Sequence, residues 1–244
     1  MAVSFYRNSF GSAKSDNCEE LYYMSKAENF RCKKYIEDTF HKDAYVDNRV
    51  DSDGEYTRHL IEEFGMERVM NIYAITLRKS ITDGRISPEM KEWAKTFNVG
   101  YREGEDLSDS HLTQINIGVV DILAKKAVAE YNKLGLFTSE HCHEKLGDDL
   151  TGKVVVINPK YLKEEYWSPE NQLWLATGGF GCSPTASGSV IFSTCLIDDD
   201  ENEWRRSHVI GALKDEYLPE WAREKINEIY NSVSEEEDIG MELQ

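Results

Sequence analysis

The sequence is short of positive charge. Its 28 Lys and Arg stand against 45 Asp and Glu, giving a formal net charge of −17. Phosphate contacts are made by Lys and Arg, so a chain this acidic repels free nucleic acid and, for the same reason, anionic membranes. Neither direct nucleic-acid binding nor membrane binding is expected. Paired cysteines are also lacking. Cys18, Cys32, Cys142, Cys182 and Cys195 are odd in number and widely spaced, with no CxxC pair. This argues against a disulfide framework and for a reducing, cytoplasmic setting. Long apolar runs are missing too. Stretches such as VVVI at 154–157 are far too short to span a bilayer. MAVSFYRNSF has neither a long apolar run nor a cleavage site, so no signal peptide is expected. There is no internal repeat and no low-complexity block.

What is present suffices for a core: 40% hydrophobic and 11% aromatic residues in 244, enough for one large domain or two small ones. Acid is not spread evenly. Residues 1–150 carry 20 basic and 27 acidic side chains, a net of −7, whereas the shorter 151–244 carries 8 and 18, a net of −10. Such a surface attracts basic partners and is suited to a groove built for nucleic acid.

The pattern predicts an α+β fold: a helical N-terminal region, then a small antiparallel sheet with a C-terminal helix. Ser15 or Asp16 caps a helix to about His41, with Leu21, Met24, Tyr35, Ile36 and Phe40 on its apolar side. A polar connector, VDNRVDSDGEY, precedes a helix bearing Tyr56, Leu60, Ile61 and Phe64 that Gly65 stops. A third helix covers about 66–79. Ser87-Pro88 starts a short one through Phe97. The loop GYREGEDLSDS leads to a long helix at about 110–134. Strands are expected at 153–157, 173–177, 190–197 and 204–210, with DDDENE (198–203) as a polar hairpin turn. Pro219 opens a final helix to about Tyr230. The expected division is 1–147 helical, 148–233 small α+β, and 234–244 a loose acidic tail.

Candidate chemistry is sparse. His141-Cys142-His143 has no second ligand pair at finger spacing, so a metal site is not expected. Gly178, Gly179, Phe180 and Gly181 form a possible ligand loop. However, a phosphate loop wants a following helix N-terminus and a lysine, and this run leads toward another strand. A thiol of Cys182 or Cys195 with His208 as base is conceivable only if the fold joins them. The acid run Asp198, Asp199, Asp200, Glu201 and Glu203 lacks the glycine of a calcium loop. It reads as a hairpin tip or as a partner-binding spike, and Glu235, Glu236 and Glu237 offer the same two readings. No catalytic residue, metal or cofactor is assigned.

Several segments carry a resemblance: SFYRNSF, KAENFRCKKYIEDTF with Cys32-Lys33, Phe64-Gly65-Met66-Glu67-Arg68-Val69, and Asp83-Gly84-Arg85-Ile86-Ser87 before Trp93. Over about residues 4–137 the chain resembles an uncharacterised domain family of phage and conjugative-element proteins from low-GC Gram-positive bacteria. It departs where Ser110-His111-Leu112-Thr113-Gln114 replaces an expected Ser/Thr-His-Pro-Gly-Leu. Residues about 153–231 are similar to a second unnamed mobile-element module. The resemblance implies a mobile-element gene, a setting in which small accessory proteins often blunt host defence. The leading expectation is therefore a non-enzymatic inhibitor of a host defence nuclease of the CRISPR or restriction type, acting as an acidic nucleic-acid mimic on that or another basic protein. The alternatives are a non-inhibitory accessory module for conjugation or phage replication, and a small-molecule enzyme using the glycine-rich loop. Oligomeric state is left open.

Overall fold

The structure, a computed structural model, describes residues 3–46, 49–97, 110–144 and 147–242, with side chains, Val46 excepted, as far as residue 231. The chain is α+β and divides into two units, Met1–Lys133 and Leu134–Gln244.

The first unit is helical: α1 (Phe10–Ser15), α2 (Glu19–Thr39), α3 (Glu55–Phe64), α4 (Met66–Lys79), α5 (Pro88–Thr96) and α6 (Ile117–Asn132), with a two-stranded ribbon of β1 (Tyr45–Val46) and β2 (Arg49–Val50). Every residue of α4 from Met66 to Leu77 is buried, which makes it the central helix. Three of its polar members bind partners, while Asn71 Oδ1 and the Tyr73 hydroxyl are buried without one among the described residues. Glu67 pairs with Arg7. The Arg68 guanidinium donates to Asn29 Oδ1 (2.9 Å), the Phe64 carbonyl (2.7 Å) and the Val3 carbonyl (2.8 Å). Thr76 Oγ1 donates to the Ile72 carbonyl and accepts from the Leu112 amide. Gly65, at φ +88°, makes the turn that separates α3 from α4. Ser87 caps α5 and donates its backbone N–H and its hydroxyl to Asp121 of α6.

The long helix expected from Ser15 or Asp16 is α2, which starts only at Glu19 after Cys18 and is followed by a π-helical turn at Phe40–Ala44, while the short α1 ends at Ser15, where the expected helix was to begin. Its buried stripe is Ser25, Asn29, Cys32, Ile36 and Phe40, while Leu21 and Met24 are exposed. The reason is polar. Ser25 Oγ accepts from the Tyr6 amide and Asn29 serves Arg68, so two hydrophilic residues occupy the inward face. The helix expected from 110 begins at Ile117, capped by Asn116. Before it, the Thr113 and Gln114 amides donate to Glu37. The expected loop at 100–110 lies, up to residue 109, outside the described residues, as do residues 47–48 of the polar connector.

Four carboxylates of this unit are held below their ordinary values. In Glu28 the cause is the hydrogen bond from Arg31, and in Glu130 that from Lys133. In Asp83 it is Arg85, which brings the value down to about 2. In Asp121 burial pushes upward, but the hydrogen bonds from Lys125 and Ser87 outweigh it. A depressed folded-state value favours the folded form above the unfolded-state value. That stability is lost as the pH falls through the folded-state value. From these carboxylates the helical unit is therefore expected to hold its stability from about pH 5 to 8 and to weaken progressively from about 4 toward 2, as urea titrations at several pH values would record.

The second unit is a five-stranded antiparallel sheet of β3 (Val154–Ile157), β4 (Leu173–Gly178), β5 (Val190–Cys195), β6 (Glu201–Arg205) and β7 (Val209–Ala212), in the order β6-β5-β4-β3-β7, followed by α7 (Glu220–Glu242). Side chains alternate across each strand. Val154, Val156, Leu173, Leu175 and Leu213 meet Trp221, Ala222, Ile226 and Ile229 of α7. Val155, Trp174 and Cys195, joined by their register, belong to the opposite face. Residues 134–144, expected with the helical part, lie with this sheet. Gln172 accepts from the Phe137 amide and donates to the Phe137 and Ile157 carbonyls, and Cys142 bridges to Leu213.

Three sequence expectations change here. The strand expected at 204–210 is two strands, β6 and β7, parted by a 3-10 turn at Arg206–His208. The acid run is not wholly a turn, because Glu201 and Glu203 pair within β6. The expected loose tail at 234–244 continues α7 through Glu242, since glutamate is a good helix former and no proline interrupts the run. No helix among the described residues is long and apolar enough to cross a membrane.

Candidate functional site: an acidic, aromatic-lined cleft in the sheet unit

A cleft of about 290 Å³ opens on the sheet face turned away from α7. One wall is the sheet: Trp174 of β4, Cys195 of β5, and Asn202 and Trp204 of β6. The other is the segment that crosses from β3 to β4, with Tyr161, Leu162, Lys163, Tyr166 and Asn171. Asp198 and Asp200 of the β5–β6 turn close one end.

The aromatic groups form a connected layer. Trp174 and Trp204 meet edge to face at 5.3 Å, Trp204 touches His208 at 6.1 Å, and His208 stacks on Tyr161 at 3.9 Å. The Trp174 indole is fixed, its Nε1 donating to the Asn171 carbonyl at 2.9 Å. The Trp204 Nε1 is buried and has no hydrogen-bond partner. Alternation along ENEWR puts Asn202 and Trp204 on the cleft side, and Glu201, Glu203 and Arg205 on the other.

The acidic residues singled out from sequence are therefore divided. Asp198 and Asp200 line the cleft; an Asp198 carboxylate oxygen accepts from the Asp200 amide at 3.2 Å, and neither carboxylate has an ion-pair partner among the described residues. Asp199, at φ +62°, turns away and pairs with Lys225 of α7 at 2.6 Å. Glu201 and Glu203 are exposed beside Thr194 and Phe192. The side chains of Glu235, Glu236 and Glu237 lie outside the described residues. Charge is nevertheless concentrated: the sheet unit carries 9 Lys and Arg against 22 Asp and Glu, a net of −13 of the chain's −17. Acidic side chains of this unit therefore outnumber its cations by 13.

The glycine-rich run is a packed turn. Gly179 has φ +97°, and a Cβ there would stand 2.5 Å from the Val190 carbonyl oxygen. A Cβ on Gly181 would strike the Ser189 carbonyl. Arg206 ties the turn down by donating to the Gly181, Cys182 and Asp148 carbonyls at 2.7–2.8 Å. Phe180 alone stands out, 76% exposed.

Burial pushes the Cys195 thiol up to about 11 and raises that of Cys182, so both are protonated at neutral pH. His208 stacks on Tyr161, and its Nδ1 accepts from the Arg205 amide. His141 Nδ1 accepts from the Thr138 amide, and Cys142 is buried against the sheet. Among the described residues no group of three His, Cys, Asp or Glu is placed to hold a metal ion.

The cleft's aromatic and amide residues were missed at the level of sequence. Its pieces lie between 161 and 204, and only the crowding of Tyr161, Tyr166, Trp167 and Trp174, with Trp204 beside the acid run, hinted at them.

Fold and cleft together define an acidic, two-unit α+β protein with a small aromatic-lined cleft in its sheet unit. The chain belongs to the DUF3849 family, described as a protein of unknown function, whose profile matches residues 5–132. No curated protein and no solved structure matches it. The family match covers the helical unit, where the motif residues hold the fold: Cys32 and Phe64 are fully buried, Gly65 turns the chain, Arg68 is buried, and Ser87 caps α5. The cleft lies beyond the matched residues.

Proposed function

We propose that this protein is a non-enzymatic, cytoplasmic inhibitor encoded by a phage or conjugative element of low-GC Gram-positive bacteria. It binds a host nucleic-acid-targeting defence nuclease, of the CRISPR or restriction type, and masks its basic groove. The sheet unit, whose residues 153–231 resemble a second mobile-element module, supplies the contact. The observation that carries the reading is a pair of carboxylates without cationic partners among the described residues, Asp198 and Asp200, set beside the aromatic lining of the cleft in a unit of net charge −13. Carboxylates stand in for phosphates, and aromatic rings supply the apolar anchor.

Co-purification with a panel of CRISPR and restriction nucleases, followed by cleavage assays, tests this. Binding is expected to block cleavage and to weaken steeply between low and physiological salt. Reversing Asp198 and Asp200 to Lys is expected to weaken it by about tenfold or more. Capture of a relaxase or replication protein, with cleavage unaffected, would replace inhibition by an accessory role in transfer or replication.

A further inference from the structure

We propose that the cleft is a receptor for a single arginine side chain of the partner protein, the guanidinium seating between the aromatic layer and the carboxylates of Asp198 and Asp200. The inference rests on the reading above in taking the partner to be a basic protein.

Size selects the ligand class first. Small-molecule sites run from about 300 to 1,000 Å³, so a cleft of about 290 Å³ suits one long side chain better than a nucleotide. Charge comes second. Of the three consecutive aspartates, Asp199 is neutralised internally by Lys225, whereas the two that face the cleft are not. The cation within the cleft lining, Lys163, is largely exposed and pairs with Glu165 at 3.7 Å. Shape comes third. A guanidinium is planar, stacks on aromatic faces and presents a fork of donors to carboxylates, whereas an ammonium is a compact, strongly hydrated point charge. Tyr166, 46% exposed, is the lining ring most open to a guanidinium, with Trp174, fixed to Asn171, and the side-chain amides of Asn171 and Asn202 beside it.

The test uses the full chain with 15N-labelled tryptophan and three capped tripeptides, Gly-Arg-Gly, Gly-Lys-Gly and Gly-citrulline-Gly. The arginine peptide is expected to shift the Trp174 and Trp204 indole resonances saturably, the lysine peptide about tenfold more weakly, and the uncharged citrulline isostere not measurably. The double variant Asp198→Asn, Asp200→Asn, which keeps a side-chain oxygen for the Asp200 amide, is expected to lose about tenfold or more in affinity at unchanged thermal stability. Equal binding of arginine and citrulline peptides, shifts confined to Trp93 or Trp221, or full affinity in the double variant would each overturn the proposal. No nuclease enters this experiment. Peptide binding alongside a failed nuclease panel leaves the pocket standing and removes the inhibitor reading. A nuclease that is captured, inhibited and released by the Asp198 and Asp200 reversal, alongside arginine peptides that leave the indole resonances unmoved, does the reverse.

Discussion

Replacing Arg68 by Leu is expected to lower the unfolding free energy of the helical unit by about 3–5 kcal/mol, and Arg68→Lys to recover little of it. Arg68 is among the largest fully buried side chains, and its fork bonds three elements at once: Asn29 of α2, the C-terminal carbonyl of α3 at Phe64, and the N-terminal segment at Val3. Leucine fills most of the volume but leaves those acceptors buried without donors, at about 1–3 kcal/mol each. Lysine cannot span the three directions. Hydrogen exchange at α2 and α4 amides, with urea unfolding, measures the loss. A change below about 1 kcal/mol would mean that water enters and takes over the acceptors. Arg68 stands in the Phe64–Val69 motif, so the result would also decide whether that motif records folding rather than binding.

Gly179→Ala is the second large effect, expected to cost the sheet unit about 3–5 kcal/mol. Two penalties combine. At φ +97° and ψ 155° the backbone occupies a region essentially restricted to glycine. The added Cβ would also lie 2.5 Å from the Val190 carbonyl oxygen, 3.2 Å from the Phe192 amide nitrogen and 3.3 Å from Ile191 Cα. All three are main-chain atoms of β5 and cannot swing aside. Thermal melting followed by circular dichroism records the shift. An alanine variant of wild-type stability would show that the turn lifts off β5 at no cost and would return the glycine run to consideration as a ligand loop.

The sequence disclosed the fold where local chemistry and burial agree. Gly65 as a stop, Ser87-Pro88 as a start, and VVVI as a strand buried on both faces are each settled by the residues themselves. Legibility failed where distant partners decide. Ser25 and Asn29 face inward because Tyr6 and Arg68 need them, a fact outside any helical window. Arg206 breaks the last strand pair because its guanidinium is drawn to carbonyls 24 to 58 residues away. In the acid run, composition was plain but direction was not. Strand alternation and one lysine on α7 sort five neighbours onto three separate surfaces, and only two reach the cleft. The cleft itself was invisible, because it exists only once Tyr161 and Trp204 are brought to the same side of the sheet.

Strand β6 ends the sheet on one side, and among the described residues it pairs with β5 alone. A terminal strand exposes a row of peptide groups to which any extended chain can add. Its outward residues are Glu201, Glu203 and Arg205, and the first two confront any second copy of the same strand with like charge. These glutamates therefore guard against fibrous self-assembly quite apart from any partner they meet, and stripping them of charge would expose a seam along which copies of the protein could polymerise.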